Sequence, residues 1–289
     1  MSEQQDAPYE QARTVERILQ GQPVTDGAGV ELTRVIGQPA LNSLDPFLLL
    51  DVFRSDKPQD YIAGFPAHPH RGFETVTYLL AGKMRHADNA GHEGVIEAGG
   101  VQWMTAGRGI VHSEMPEQDD GLLEGFQLWL NLPASHKMTS PAYQEHPPTQ
   151  IPREQREHAE IAVIAGTTTM GTSGPVVQPL TEPLYIDVHL GVEANFQESL
   201  PPLHNAFIYV IDGKVEIISN KRQALLEKGQ LGVLSLGSEL NVNAGKAAAR
   251  FLLVAAKPLK EPIARGGPFV MNTREEIQQA FADYEAGRF

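Results

Sequence analysis

The residues with the clearest chemical potential lie in two short motifs, one with His68 and His70 two residues apart, the other with His112 and Glu114 at the same spacing. Side chains in a strand alternate between its two faces, so the members of each pair point the same way. If two such segments face one another across a barrel interior, three imidazoles and one carboxylate surround a common point. That set can hold one divalent metal ion and leaves one or two coordination positions open for water, oxygen or substrate.

The neighbouring sequence predicts that both motifs lie at the mouths of strands. His70 is followed by a bend at Gly72 and then by the run Phe73–Leu80, which is rich in β-branched and aromatic residues. Gly107 and Gly109 precede His112 and permit a tight turn before a new strand begins.

Glu74 is the alternative source of the carboxylate. In an unbroken strand, Glu74 would share a face with His68 and His70. Pro69 and Gly72 stand between them and can bend or bulge the strand, which would remove that shared face. Both carboxylates therefore stay open at this point.

Composition and charge exclude several classes of protein. The formal net charge of −13 over 289 residues argues against a surface that binds nucleic acid or anionic membranes. The sequence has no cysteine, which excludes disulfides and thiolate chemistry and fits a reducing cytoplasm, where we expect the protein to reside. Residues 1–20 are polar, and no window approaches the roughly 18 apolar residues of a membrane span, so we expect neither a signal nor an anchor.

Short strand-like runs separated by turns predict an all-β fold. The runs form two series, and the hairpin turn at Gly82 has a counterpart at Gly213, which indicates two β-barrels of similar construction. The polar, proline-rich stretch between the series predicts a linker at 136–152. It would separate a domain at 1–135 from a second domain at 153–289.

The chain is predicted to end in a helix. Thr273 and Glu276 form a capping-box pattern. Apolar residues follow at helical spacing on one face, namely Ile277, Ala280, Phe281 and Tyr284. We expect that face to pack on a barrel.

The other histidines are expected to have no part in metal binding. His86 and His92 flank a turn and are predicted to be exposed, whereas His189 is predicted to be a hydrogen-bonded strand residue. The remaining three lie in or beside the linker and are predicted to be solvated: His136, His146 and His158.

The chain resembles the pirin family along nearly its whole length. The resemblance rests on four blocks in matching order, LDPFLL at 44–49, HPHRGFET at 68–75, WMTAGRGIVHSE at 103–114 and GPFVMNT at 267–273. It implies two tandem cupin barrels, of jelly-roll type. It also implies a single metal in the N-terminal barrel, bound by the residues named above: His68, His70, His112 and Glu114.

The same resemblance favours Glu114 over Glu74 as the ligand. Glu74 would then orient an imidazole, or would form a buried ion pair with Arg71. The second barrel has only His204 at the corresponding point, without another ligand two residues on. We therefore predict that this barrel holds no metal.

Two functions follow from the resemblance, since some pirins resemble quercetin 2,3-dioxygenases and animal pirins are iron-dependent partners of transcription factors. The first hypothesis is an enzyme that opens a flavonol, or another small enol, with O₂, and in which Glu114 is the general base. The alternative is a redox-sensing interaction protein whose acidic charge selects basic partners. Fe(II) is the expected metal, although the ligand set also suits Mn, Co, Ni, Cu or Zn.

A closed apolar pocket beside the metal would favour the enzyme, and an exposed metal without a cavity would favour the interaction protein. Five residues have side chains suited either to line such a pocket or to pack in the core: Val101, Trp103, Phe126, Leu128 and Phe269. We expect the protein to be a monomer.

Overall fold

The computed structural model describes residues 11–219 and 222–289, and these residues are mainly strands. The first half of the chain contains β1 (Val15–Gln20), β2 (Gln22–Asp26), β3 (Val30–Ile36), β4 (Phe47–Ser55), β5 (Phe65–His70), β6 (Phe73–Ala81), β7 (Lys83–Asp88), β8 (Glu93–Glu97), β9 (Val101–Thr105), β10 (Ile110–Pro116), β11 (Leu123–Asn131) and β12 (Ala142–His146). Single turns of 3₁₀ helix lie at Pro58–Asp60, Ala134–His136 and Pro148–Gln150.

The second half continues with strands and ends in a helix. Its elements are β13 (Arg153–Arg156), β14 (Ala159–Ala165), β15 (Leu184–Leu190), β16 (Asn195–Ser199), β17 (Asn205–Asp212), β18 (Lys214–Ile218), β19 (Gln223–Glu227), β20 (Gln230–Leu234), β21 (Glu239–Asn243), β22 (Ala249–Ala256), β23 (Ala264–Gly266), β24 (Phe269–Met271) and α1 (Arg274–Glu285). Residues 1–10, which begin the segment expected to lack a signal, lie outside the described residues.

The strands form two cupin barrels, which confirms the predicted all-β class. One barrel has a seven-stranded sheet in the order β12-β9-β6-β11-β4-β3-β2 and a four-stranded sheet in the order β5-β10-β7-β8. The other has the sheets β1-β20-β17-β22-β15-β14-β13 and β16-β21-β18-β19. The two orders correspond strand for strand, so the weak sequence repeat reflects a structural one. Gly82 and Gly213 have φ angles of 84° and 73° at equivalent turns, a conformation that favours glycine.

The two compact units do not follow the boundaries predicted from the sequence. One unit consists of Gln22–Gln150 and Leu259–Phe289, and we call it the N-terminal unit. The other consists of Ile151–Pro258 and the described residues up to Gly21, and we call it the C-terminal unit. Each unit therefore includes one end of the chain that the predicted division at 136–152 assigned to its neighbour.

Strand pairing explains this exchange of chain ends. β1 pairs with β20 and so belongs to the C-terminal unit. β12 lies within the predicted linker but pairs with β9 as an edge strand of the N-terminal unit. Its polar residues are mostly half-buried, as is typical of a sheet edge. An edge strand of this composition has the same sequence signature as a linker, so the linker interpretation was wrong over Ala142–His146.

The C-terminal helix begins with the predicted capping box. The Glu276 amide donates to Thr273 Oγ1 at 3.2 Å, and the Thr273 amide donates to Glu276 Oε2 at 2.9 Å. α1 packs beside β23 and β24 in the N-terminal unit, where Phe281 lies edge-on to Phe269 with ring centroids 4.9 Å apart. Within 11–219 and 222–289, no helix has the length and apolarity that a membrane crossing requires.

Candidate metal centre

The two motifs occupy neighbouring strands of one sheet. His68 and His70 lie on β5 and His112 and Glu114 on β10, and the strands pair antiparallel with His112 directly opposite His68. The expectation that the motifs face each other across the barrel was therefore wrong, whereas β6 and β10 begin at Phe73 and Ile110 as predicted. Directly paired residues have Cβ atoms only about 5 Å apart, so adjacent strands bring these side chains together equally well.

The three imidazoles converge. One ring nitrogen from each of His68, His70 and His112 lies within 4.8 Å of the other two, and the Nε2 atoms of His68 and His70 are 3.1 Å apart. His68 Nδ1 donates to the Pro66 carbonyl at 2.8 Å, and His70 Nδ1 lies 3.4 Å from the Pro268 carbonyl. Carbonyl acceptors keep the proton on Nδ1, so the lone pairs of both Nε2 atoms point towards each other.

His112 has the environment expected of a ligand without its cation. Its side chain is buried, and neither ring nitrogen has a hydrogen-bond partner. Burial lowers the pKa of His112 well below its usual value and that of His70 to about 3, so both rings are neutral near pH 7. Neutral imidazoles are the form that binds metal. The donor set therefore fits a divalent transition metal.

Glu114 borders the same space but is held away from the three imidazoles. Its carboxylate is buried and is not among the atoms within 4.8 Å of one another. Thr77 Oγ1 lies 2.9 Å from Glu114 Oε1, and Gln127 Nε2 donates to Oε2 at 3.4 Å. Burial is the largest influence on Glu114 and raises its pKa. Its role as a metal ligand stays a prediction.

Sequence reasoning missed Thr77 and Gln127. Each is an uncharged polar residue within a strand that is otherwise largely apolar and buried, β6 for Thr77 and β11 for Gln127. A buried polar side chain requires a hydrogen-bond partner, so such interruptions of an apolar strand are a usable signal for a site.

Glu74 lies in a different part of the barrel wall. β5 and β6 belong to different sheets, and Gly72 between them has φ 89°, so Glu74 does not share a face with the histidines. The Thr105 hydroxyl donates to Glu74 at 2.7 Å. Arg71 forms an ion pair with Asp283 at 2.7 Å, and the suggested pairing of Arg71 with Glu74 stays a prediction.

A segment near the C-terminus closes over the bend between β5 and β6. The Val270 amide donates to the Arg71 carbonyl at 3.0 Å. The buried ammonium of Lys137 donates to the carbonyls of Gly72 and Val270, at 2.6 and 3.0 Å, and to Asn131 Oδ1 at 2.5 Å. All three of its protons are thereby used. Lys137 was missed because it lies in the predicted linker.

A cavity of about 590 Å³ opens beside the histidines, with His68, His70 and Glu114 in its wall. Its larger apolar side chains are Leu32, Leu49, Phe53, Phe65, Met84 and Trp129. Charge is added by Asp26, Arg34, Asp51 and Arg265. The five residues considered for this lining are all core residues: Val101, Trp103, Phe126, Leu128 and Phe269. Alternation along β11 explains the difference, since Gln127 and Trp129 face the cavity and Phe126 and Leu128 face the opposite side.

The equivalent strands of the C-terminal unit carry different side chains. β16 and β21 correspond to β5 and β10, and their buried residues include Phe196, Leu240 and Val242. His204 lies in the turn before β17 rather than on β16. In the described parts of the chain, the groups of side chains able to hold a metal lie in the N-terminal unit. The absence of metal from the second barrel stays a prediction.

The remaining histidines have different environments. His136 and His158 are exposed as predicted, and His146 is half-buried within β12. His189 is half-exposed, with Nε2 3.9 Å from Asp187 Oδ1. His86 is buried, so the prediction that it is exposed was wrong. The ring fits because the facing residue on β8 is Gly94.

The chain is similar to known proteins over nearly its full length. It matches a family model described as Pirin at residues 29–130 and one described as Pirin C-terminal cupin domain at 185–289. It is 51% identical over 279 residues to a pirin-like protein of Caulobacter vibrioides, covering 96% of this chain and 99% of that protein. It is 44% identical over 262 residues to pirin of Homo sapiens, covering 90% and 88%. The crystal structure of quercetin 2,3-dioxygenase from Acinetobacter baumannii matches with a TM-score of 0.87 and 33% identity, over 96% of this chain and 98% of that one.

Replacement of Lys137 by Met should destabilise the protein by about 2–4 kcal/mol, because two buried carbonyls lose their donor. Burial lowers the pKa of Lys137 to about 8 from 10.5. Between these pH values the unfolded chain binds more protons at Lys137 than the folded chain does. The wild-type free energy of unfolding should therefore increase as pH rises through this range, and this gain is lost as pH falls through about 8.

Denaturant unfolding of both proteins across this pH range measures the effect. Lys257→Met is the control, because Lys257 forms an exposed ion pair with Glu182. Equal pH slopes in wild type and Lys137→Met would contradict the assignment.

Proposed function

We propose that this chain, which belongs to the pirin family, is a metal-dependent dioxygenase of the quercetin 2,3-dioxygenase type. It would open a flavonol or a similar enol with O₂. The main support is the cavity of about 590 Å³ beside the three histidines. This volume lies within the roughly 300–1,000 Å³ typical of small-molecule sites. The similarity to the Acinetobacter baumannii quercetin 2,3-dioxygenase supports the same reaction.

His68 and His70 would hold the metal through Nε2, together with His112. Glu114 would complete the set from the edge of the same space, where Thr77 and Gln127 hold its carboxylate. A divalent ion, of which Fe(II) suits oxygen chemistry and Mn, Co, Ni, Cu or Zn are alternatives, supplies Lewis acidity towards the enol oxygen and the capacity to react with O₂. The apolar walls exclude water from the reacting face of the substrate.

Glu114 is the proposed general base for the enol hydroxyl. Burial raises its pKa, so the carboxylate has a greater affinity for that proton than an exposed glutamate has. The single proton of the Thr77 hydroxyl can go to Glu114 Oε1 at 2.9 Å or to Gln127 Oε1 at 2.6 Å. When this proton points to Glu114 Oε1, it stabilises the ionised carboxylate. The hydroxyl can turn its proton to Gln127 once Glu114 has accepted the proton of the substrate.

The mouth of the cavity favours a flat substrate that carries negative charge. The Arg265 guanidinium lies over the Trp129 ring at 5.0 Å from its centroid. Arg34 is paired with Asp51 at 2.7 Å and with Asp26 at 2.8 Å, whereas Arg265 has no ion-pair partner in the described ranges. Arg265 can therefore attract an enolate or phenolate oxygen while the aromatic ring of the substrate packs near Trp129.

The central test is turnover of a flavonol in air by protein loaded with each metal in turn. At equal metal occupancy, Glu114→Gln should lower kcat at least about 100-fold, since a general base contributes that much or more. Glu74→Gln, a matched change at a buried carboxylate outside the cavity, should retain activity. Absence of flavonol loss with every metal would reject the enzyme and favour the metal-dependent interaction protein.

Arg265→Met should raise KM for a flavonol about tenfold with little change in kcat, because the charge would bind ground state and transition state alike. Steady-state kinetics at fixed metal content measures both constants. Arg54→Met is the control, since Arg54 forms an exposed pair with Glu124 away from the cavity. An unchanged KM would exclude Arg265 from substrate binding.

A further inference from the structure

A second group of potential ligands lies in the N-terminal unit and has no part in the proposed reaction. It consists of His86 on β7, His92 in the turn before β8 and Glu145 on β12, and one ligand atom from each lies within 4.8 Å of the others. These residues come from three separate stretches of sequence. They meet where β7 and the turn before β8, at one end of the four-stranded sheet, approach the edge strand β12 of the seven-stranded sheet.

The nitrogen and oxygen atoms of this group lie close enough together to bind one cation. His86 Nε2 is 2.5 Å from Glu145 Oε1, and His92 Nε2 is 3.1 Å from the same oxygen. His86 is only 2% exposed, and neither of its ring nitrogens has a partner in hydrogen-bond geometry. Such a close approach without a directed N–H bond is stabilised when a cation accepts a lone pair from the imidazole nitrogen and one from the carboxylate oxygen.

The surrounding residues leave space for these three side chains and hold them in position. Gly94 faces His86, and a Cβ at that position would lie 2.7 Å from His86 Nε2 and 3.3 Å from Glu145 Oε2. The Gln102 amide donates to Glu145 Oε1 at 2.7 Å. The Tyr143 ring stacks on His92 with centroids 4.3 Å apart. Supporting contacts of this kind orient the side chains that bind a metal.

We propose that His86, His92 and Glu145 form a second site for a divalent transition-metal ion, with Zn(II) as the best match. Two imidazoles and one carboxylate are a donor set that zinc accepts at about 2.0–2.2 Å per bond. Donor atoms around a tetrahedral ion at those bond lengths are roughly 3.3 Å apart, close to the separation of His92 and Glu145. His92 and Glu145 are partly exposed, so solvent can occupy the fourth position.

The ion would have a structural effect. It would join the edge strand β12 to β7 and to the turn before β8, and so close the open side of the sheet edge. His86 pairs with Glu114 across β7 and β10, which places the second site next to the first along the same sheet. The proposal does not depend on the proposed enzymatic activity, because its test measures metal content and stability and not turnover.

The test is the number of zinc ions bound per chain after equilibrium dialysis against Zn(II) alone, measured by elemental analysis. Wild type should bind two ions, and His92→Ala and Glu145→Gln should each bind one. The double variant His68→Ala/His70→Ala should retain one. His146→Ala, which changes a neighbouring histidine on β12, is the matched control and should bind two.

Thermal unfolding provides a second measurement. In the His68→Ala/His70→Ala background, Zn(II) should raise Tm, and the further change Glu145→Gln, which preserves side-chain size, should abolish that rise. A single ion in wild type that persists in Glu145→Gln would overturn the proposal. Retention of the second ion by both His92→Ala and Glu145→Gln would also overturn it.

Discussion

The geometry of the candidate metal centre depends on the two-residue crossing between β5 and β6. Gly72 has φ 89°, and a Cβ there would lie 2.0 Å from the Val270 carbonyl oxygen, so this position requires glycine. The chain approaches this closely because Val270 donates to the Arg71 carbonyl. The same segment supplies the Pro268 carbonyl that faces His70 Nδ1. The orientation of one imidazole is thus controlled by residues almost two hundred positions later.

The buried ammonium of Lys137 stabilises that crossing. A buried ammonium loses its hydration, which lowers its pKa, and this loss is tolerable only if every proton finds an acceptor. Gly72, Val270 and Asn131 provide the three acceptors. The crossing in turn requires the lysine, because the bend at Gly72 leaves a carbonyl without a partner in a β-sheet, and Lys137 is its donor. The lysine and the crossing therefore stabilise each other, and both are needed to hold β5 in place.

Local periodicity was sufficient to predict much of the site, and long-range pairing accounts for what it missed. The spacing of two in a strand correctly placed His68 beside His70, and the paired hairpin glycines indicated the repeated barrel. Local periodicity could not show that β5 and β10 are neighbours, because strand order depends on the whole fold. β12 was missed because an edge strand is polar on its open side. The burial of His86 was missed because it depends on a glycine across the sheet, Gly94, and not on the neighbours of His86 in sequence.

The two barrels show how one topology can be either a scaffold or a site. In the C-terminal unit, Phe196, Leu240 and Val242 occupy the strands equivalent to β5 and β10, and the interior is closed by apolar packing. In the N-terminal unit, the same strands carry imidazoles, and His112 is buried without a hydrogen-bond partner. Such an interior is less stable than an apolar one until a cation receives the lone pairs. The polar strands therefore reduce the intrinsic stability of one barrel, and binding of an ion beside the cavity would offset that loss.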